Sequence, residues 1–236
     1  MNRQDVADLA GSVGLGAWTA FSLLTMIVIG RNGAPLTPDD QMLAWSLLHR
    51  PDELVALARG VTATGTGVIP YALIVLAGLI TGRTAQQRLA TAALGLLCLT
   101  AEQALRYGLV TLIHRPRPPH ADWAAHASGW SFPSGHTTTA ALTACVLVLA
   151  IRLRAPRGRT LLTVVIAAWA VAVGLTRAEL AVHWCTDVLG GWLFAVGWAG
   201  LCLCAASWWL PEQFIPRTAN ASIKPVEGHA PQDPGR

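Results

Sequence analysis

Six apolar stretches constrain this chain more than any other feature. They run from Val13 to Gly30, Gly60 to Gly82, Leu89 to about Ile113, His136 to Ala150, Thr160 to Thr176 and Trp184 to Leu210. A helix of about 20 apolar residues crosses a bilayer. The expected fold class is therefore all-α, a polytopic membrane protein built as a six-transmembrane-helix bundle. Composition agrees: 13% of residues are charged, against roughly a quarter in soluble domains. With no internal repeat and no soluble second domain in view, residues 1–210 read as one integral-membrane domain. Residues 211–236, polar and rich in proline, read as a disordered tail.

The segments between the stretches add detail. Met1–Asp8 lacks the basic start of a signal peptide and nothing after Gly30 resembles a cleavage site, so the first stretch is expected to stay as a helix. Thr37 followed by Pro38, Asp39 and Asp40 looks like an N-cap and an acidic first turn. The short helix it opens carries Met42, Leu43, Trp45, Leu47 and Leu48, which suits a position at the membrane interface. Pro51-Asp-Glu opens another short helical piece, and Pro70 is placed to kink the second span.

The basic pI, about 9.1, does not indicate nucleic acid here, because arginines at the ends of apolar runs report topology instead. Six spans put Arg3, Arg83, Arg88, Arg152, Arg154, Arg157, Arg159, Arg217, Lys224 and Arg236 on one side. Fewer, Arg31, Arg50, Arg59, Arg115, Arg117 and Arg177, lie on the other. The expectation is cytoplasmic termini, in a cell membrane, with the polar segments around Arg117 and His183 facing outward. Cys98, Cys145, Cys202 and Cys204 read as small packing residues; Cys185, beside His183, reads as filler or as a neighbour of a site.

Three polar islands interrupt the apolar pattern: His114-Arg-Pro-Arg-Pro-Pro119, Ser131-Phe-Pro-Ser-Gly-His136 and Arg177 to Asp187. Ionisable residues at the ends of spans are costly unless they act. His183 and Asp187 are four apart, so one carboxylate can hold one imidazole nitrogen and leave the other free as a base, a nucleophile or a metal ligand. Pro133-Ser-Gly before an apolar helix suits a tight turn into a helix N-terminus, where free N–H groups bind an anion. Ser134 and Gly135 would contribute there, with His136 beside the anion. Arg115, Arg117 and Arg177 offer guanidinium groups that match phosphate oxygens. The three islands thus read as one phosphate site.

Arg117-Pro118, Pro133-Ser-Gly-His136 and Arg177-x5-His183-x3-Asp187 together resemble the three-part signature of the type-2 phosphatidic acid phosphatase superfamily, which also contains acid phosphatases and vanadium haloperoxidases. The resemblance runs from the third span to the sixth and implies a metal-independent membrane phosphatase acting on a lipid phosphate or pyrophosphate. It implies His183 as the nucleophile that forms a phosphohistidine, Asp187 as its orienting partner and His136 as the general acid. Arg117, Arg177, Ser134 and Gly135 would hold the phosphoryl group. No cofactor or metal is implied, and no nucleic-acid partner. Undecaprenyl pyrophosphate, phosphatidylglycerol phosphate and phosphatidic acid all fit as substrates.

Two positions depart from the family pattern. Val110 stands where the first motif has a lysine, so Arg106, one turn back, or Arg115 is expected to supply the charge. Thr176 replaces a serine and keeps the hydroxyl. Glu102 and Arg106, four apart, could instead form a structural pair linking spans. Glu179 is also four from His183 and could compete with Asp187 for the imidazole. A transferase, a lipid-phosphate-binding protein without catalysis, and a zinc site at His136, His183 and Asp187 remain alternatives.

Overall fold

A computed structural model describes residues 3–154 and 156–209. The predicted tail, 211–236, lies outside the described residues. Among those described, the chain is helical throughout: α1 (Arg3–Gly30), α2 (Thr37–Leu48), α3 (Asp52–Ala63), α4 (Val68–Thr81), α5 (Ala85–Ile113), α6 (Gly135–Arg154), α7 (Arg159–Glu179) and α8 (Cys185–Trp209). One 3₁₀ turn, His120–Asp122, lies in the long loop between α5 and α6.

Five of these helices, α1, α5, α6, α7 and α8, are each long and apolar enough to cross a membrane. The sixth span is a broken one. Helices α3 and α4 pass the same test only together and meet at 48°. The break falls at residues 64–67, not at Pro70, which sits buried in the first turn of α4 where its missing N–H costs no hydrogen bond.

Helix α6 is the centre of the bundle. It packs against α4, α7 and α8, and a run of small residues from Thr137 to Ala144 is buried along it. Around it, α1 and α8 form the most extensive helix pair. A Cβ on Gly200 would lie 2.6 Å from the Cα of Gly14 and 2.8 Å from the carbonyl of Ala10. Lipid tails are as apolar as the side chains, so close backbone approach supplies the dispersion contact that hydrophobic burial would supply in water. Outward-facing Leu15, Met26, Leu97 and Leu112 are correspondingly exposed on the bundle surface.

Helix α2 is built inside out relative to a soluble helix. Its buried residues are Asp39 and Ser46, whereas Trp45, Leu47 and Leu48 are exposed. This matches the expected position at an apolar boundary. Thr37 is not the cap: it is the first helical residue, and Asp39 reaches back to accept the Leu36 N–H at 2.9 Å.

Candidate active site

The three islands meet at one end of the bundle, and the bends that bring them together are local. Helix α7 stops at Glu179, and Ala181 then takes a left-handed conformation (φ 53°). Such a φ costs a non-glycine residue about 1–2 kcal/mol, offset here by two hydrogen bonds. The N–H groups of Val182 and His183 both donate to the carbonyl of Arg177, at 3.3 and 3.2 Å. His183 is therefore outside regular helix, one turn before α8. Asp187, in the first turn of α8, reaches back: its Oδ2 accepts the Trp184 N–H at 2.9 Å and faces His183 Nδ1 at 3.3 Å. The same bend carries Glu179 away. The Glu179 carbonyl faces Ser46 and Arg50, and its Oε1 is buried without a partner.

Arg117 closes the other side of the ring. Its guanidinium donates to the carbonyls of Ser128, Gly129, Trp130 and Val182, and its Nη1 lies 2.9 Å from His183 Nε2. An arginine only donates. The hydrogen-bond network thus assigns Nε2 as unprotonated, its lone pair accepting from Arg117, and the proton to Nδ1, against Asp187. Burial, then Arg117 and Arg177, with a smaller effect of Arg106, push the His183 imidazole well below its ordinary pKa. That shift favours the neutral imidazole.

Arg115 does something different from Arg117. It is fully buried, donating from Nη1 to Asp187 Oδ1 and, at 2.7 Å, to Thr186 Oγ1. Its Nη2 donates to Asp39 Oδ2 at 2.7 Å. Every terminal nitrogen is engaged within the protein, so the expectation that Arg115 contacts phosphate is not met: it is a clamp between two carboxylates. Gly33 makes room for it, since a Cβ there would lie 2.8 Å from Pro116, and its φ of +75° suits glycine.

Arg106 occupies the position that matters. Its guanidinium lies against the Ser134–Gly135 turn, with Cζ 3.0 Å from where a Gly135 Cβ would stand. Its Nε is buried without a hydrogen-bond partner. The expected pairing with Glu102 does not form: among the described residues no ion pair joins them within 4.0 Å, and both Glu102 oxygens are buried and unpartnered. Val110 is buried one turn further along α5.

The Ser134–Gly135 turn itself is tied down. The Ser134 N–H donates to the Asp187 carbonyl at 3.1 Å, and Ser134 Oγ accepts from Thr137 at 3.0 Å. His136 follows in the first turn of α6, half-buried, with Nε2 3.5 Å from Thr66 Oγ1. A cavity of about 500 Å³ opens beside it, lined by Arg177, Thr62, Arg59, Trp123 and His126 among others. Arg177 is buried and donates from Nη1 to Thr62 at 3.1 Å, while its Nε has no partner. The structure thus gathers His183, Asp187, Arg117, Arg106 and the Ser134–Gly135 turn, with His136 and Arg177 on the cavity wall. Among the described residues no group of three His, Cys, Asp or Glu is placed to hold a metal ion. Asp39, Thr186, Thr62 and Thr66 were not legible as site residues. Cys185 touches Asp39 (Sγ–Oδ1 3.2 Å) rather than His183.

Residues 89–211 match the PAP2 superfamily. The chain belongs to that superfamily. It is 31% identical over 182 residues to phosphatidylglycerophosphatase B of Bacillus subtilis (strain 168), covering 75% of this chain and 86% of that one. It is 38% identical over 86 residues to phosphatidylglycerophosphatase B of Escherichia coli (strain K12), which is 36% of this chain and 31% of that protein. The crystal structure of a transmembrane PAP2-type phosphatidylglycerolphosphate phosphatase from Bacillus subtilis superposes with a TM-score of 0.66 at 25% identity, over 80% of this chain and 94% of that one. All three motifs lie inside the PAP2 match, whereas Asp39 and the broken span α3–α4 lie before it.

Proposed function

We propose that this PAP2 protein hydrolyses a lipid phosphate or pyrophosphate by way of a phosphohistidine at His183. That it is a multi-pass membrane lipid phosphatase follows from its family and its relatives; the nucleophile, the substrate and the sidedness are the proposal. One observation carries it: an imidazole whose Nδ1 faces Asp187 and whose Nε2 meets the Arg117 guanidinium. In this reading Nε2 attacks phosphorus while the bond to the lipid oxygen breaks, and His136 gives that oxygen a proton. Water then attacks the phosphohistidine, His136 takes its proton, and phosphate leaves. Arg117, Arg177, Arg106 and the Gly135 amide stabilise the charge on the transferring group, the Ser134 N–H being already donated to the Asp187 carbonyl. The cavity beside His136 and Arg177 receives the headgroup. Phosphatidylglycerol phosphate is the first substrate to try, given what the relatives are named for. Undecaprenyl pyrophosphate and phosphatidic acid complete the panel.

Phosphate release from these three lipids by detergent-purified protein tests the reading. Release should persist in EDTA and require His183; release abolished by EDTA would sink a metal-independent mechanism. Transfer to an alcohol instead of water, seen as a new phosphorylated product, would mark a transferase. For sidedness, the arginine distribution supports a site facing outside the cell. Ala121→Cys in an otherwise cysteine-free chain should react with an impermeant maleimide on intact cells, and reaction only after lysis would reverse the topology.

The departure at Val110 gives a sharper test. Arg106→Leu is expected to lower kcat/KM on the order of 100-fold, as removing one transition-state donor does. Adding Val110→Lys to that variant should recover about tenfold, because a lysine there restores the family's cation one turn away. Equal activity of Arg106→Leu and wild type would remove Arg106 from the site.

A further inference from the structure

The contacts behind His183 do not end at Asp187. Arg115 binds Asp187 on one side and Asp39 on the other, and all three side chains are buried. Asp39 comes from α2, outside the matched family region. It accepts five further hydrogen bonds: Thr186 N–H at 2.9 Å, Thr186 Oγ1 at 2.8 and 2.9 Å to its two oxygens, Cys185 Sγ at 3.2 Å and Leu36 N–H at 2.9 Å. Backbone and arginine contacts hold its carboxyl below the usual carboxylate range despite the opposing effect of burial. Asp39 is therefore an anion in a dry place.

That charge has a use. When His183 Nε2 takes a phosphoryl group, the ring gains positive charge, and Asp187 is the group that faces it. An Asp187 neutralised by Arg115 alone would offer little attraction. With Asp39 on the far side of Arg115, the trio carries one net negative charge, and in a buried setting that charge acts over several ångströms. We propose that Asp39 is a positioning residue of the reaction: it offsets the Arg115 charge so that the buried Asp187–Arg115–Asp39 trio stays net negative toward the His183 imidazole, and through the Thr186 N–H it holds the first turn of α8 on which Asp187 stands. This inference rests on the phosphohistidine reading above.

Asp39→Asn tests it, being nearly isosteric and removing only the charge. Phosphate release is measured against pH with one lipid substrate for wild type, Asp39→Asn and Thr186→Val, so that ionisation of the substrate cancels. The groups facing His183 are Asp187, Arg117, Arg177, Arg106 and His136, and none of them changes. Asp39→Asn should lower kcat on the order of tenfold, as loss of a group supporting a catalytic imidazole does, with KM within about twofold. Its acid limb should move to lower pH, because the imidazolium loses support. Thr186→Val removes the hydroxyl that bonds Asp39 and Arg115 but keeps every charge, so its acid limb should stay in place. An Asp39→Asn enzyme that is folded, with kcat and acid limb as in wild type, overturns the proposal. So does an acid limb displaced equally in Thr186→Val, which would make the role structural. Where Asp39→Asn does not fold, Asp39→Asn/Arg115→Met carries the wild-type net charge. A wild-type acid limb there supports the proposal and a displaced one overturns it. Wild type that releases no phosphate, or a His183→Ala variant that still does, sinks the phosphohistidine reading itself, a result distinct from either.

Discussion

His183→Ala is expected to end turnover on every substrate, with a fall of at least about 10⁴-fold in kcat, as when a covalent nucleophile is removed. The protein should remain folded, because the Arg115–Asp39 contact and the Trp184 N–H bond to Asp187 do not involve the imidazole. The informative comparison is His136→Ala on two substrates. A lipid alkoxide is a poor leaving group and, in the proposed mechanism, needs a proton from His136; nitrophenolate does not. His136→Ala should therefore lose roughly 10²–10⁴-fold on a lipid phosphate and far less on p-nitrophenyl phosphate, whereas His183→Ala should be inactive on both. Acid-quenched enzyme mixed with labelled substrate should carry phosphate in wild type and none in His183→Ala. Labelled protein that survives the loss of His183 would place the nucleophile elsewhere.

The second large effect concerns stability. Arg115→Met strands the buried carboxylates of Asp39 and Asp187, both at 0–1% exposure. Breaking a buried ion pair from one side costs about 3–5 kcal/mol, because the remaining charge has neither water nor a partner. For a chain of this size that is roughly 6–20 °C of apparent melting temperature. Arg117→Met should do the reverse. Its guanidinium holds carbonyls of a surface loop and the nucleophile, so it should cost little melting temperature and about 10²–10³-fold in kcat. Thermal unfolding in detergent beside a rate measurement separates the two. Arg115→Met melting like wild type would show that the clamp between the carboxylates does not hold the site together.

The contrast between these two arginines, two residues apart, marks the limit of reading by spacing. Both offered a guanidinium on a stiff Pro-rich backbone, and either could have faced phosphate. The conformation of the loop turns Arg115 inward to α2 and α8 and Arg117 toward His183. Likewise, four-residue spacing joined His183 equally to Glu179 and Asp187, and Glu102 to Arg106. The bend at Ala181 decided the first case, and the turn at Gly135 drew Arg106 away in the second.

The sequence by itself determined five of the spans, the all-helical class and the identity of the three motifs. Each depends on hydropathy or on neighbours a few residues apart, and those survive whatever the rest of the chain does. Only the tertiary structure decided that Asp39, 76 residues before Arg115 and 147 before Thr186, meets both and stands behind the His183–Asp187 pair. It also decided that the second span breaks beside His136 and that Arg106 meets the Ser134–Gly135 turn. Such contacts form because helices α1 and α8 approach closely and α6 fills the centre, and packing of that kind leaves no periodic trace in the sequence.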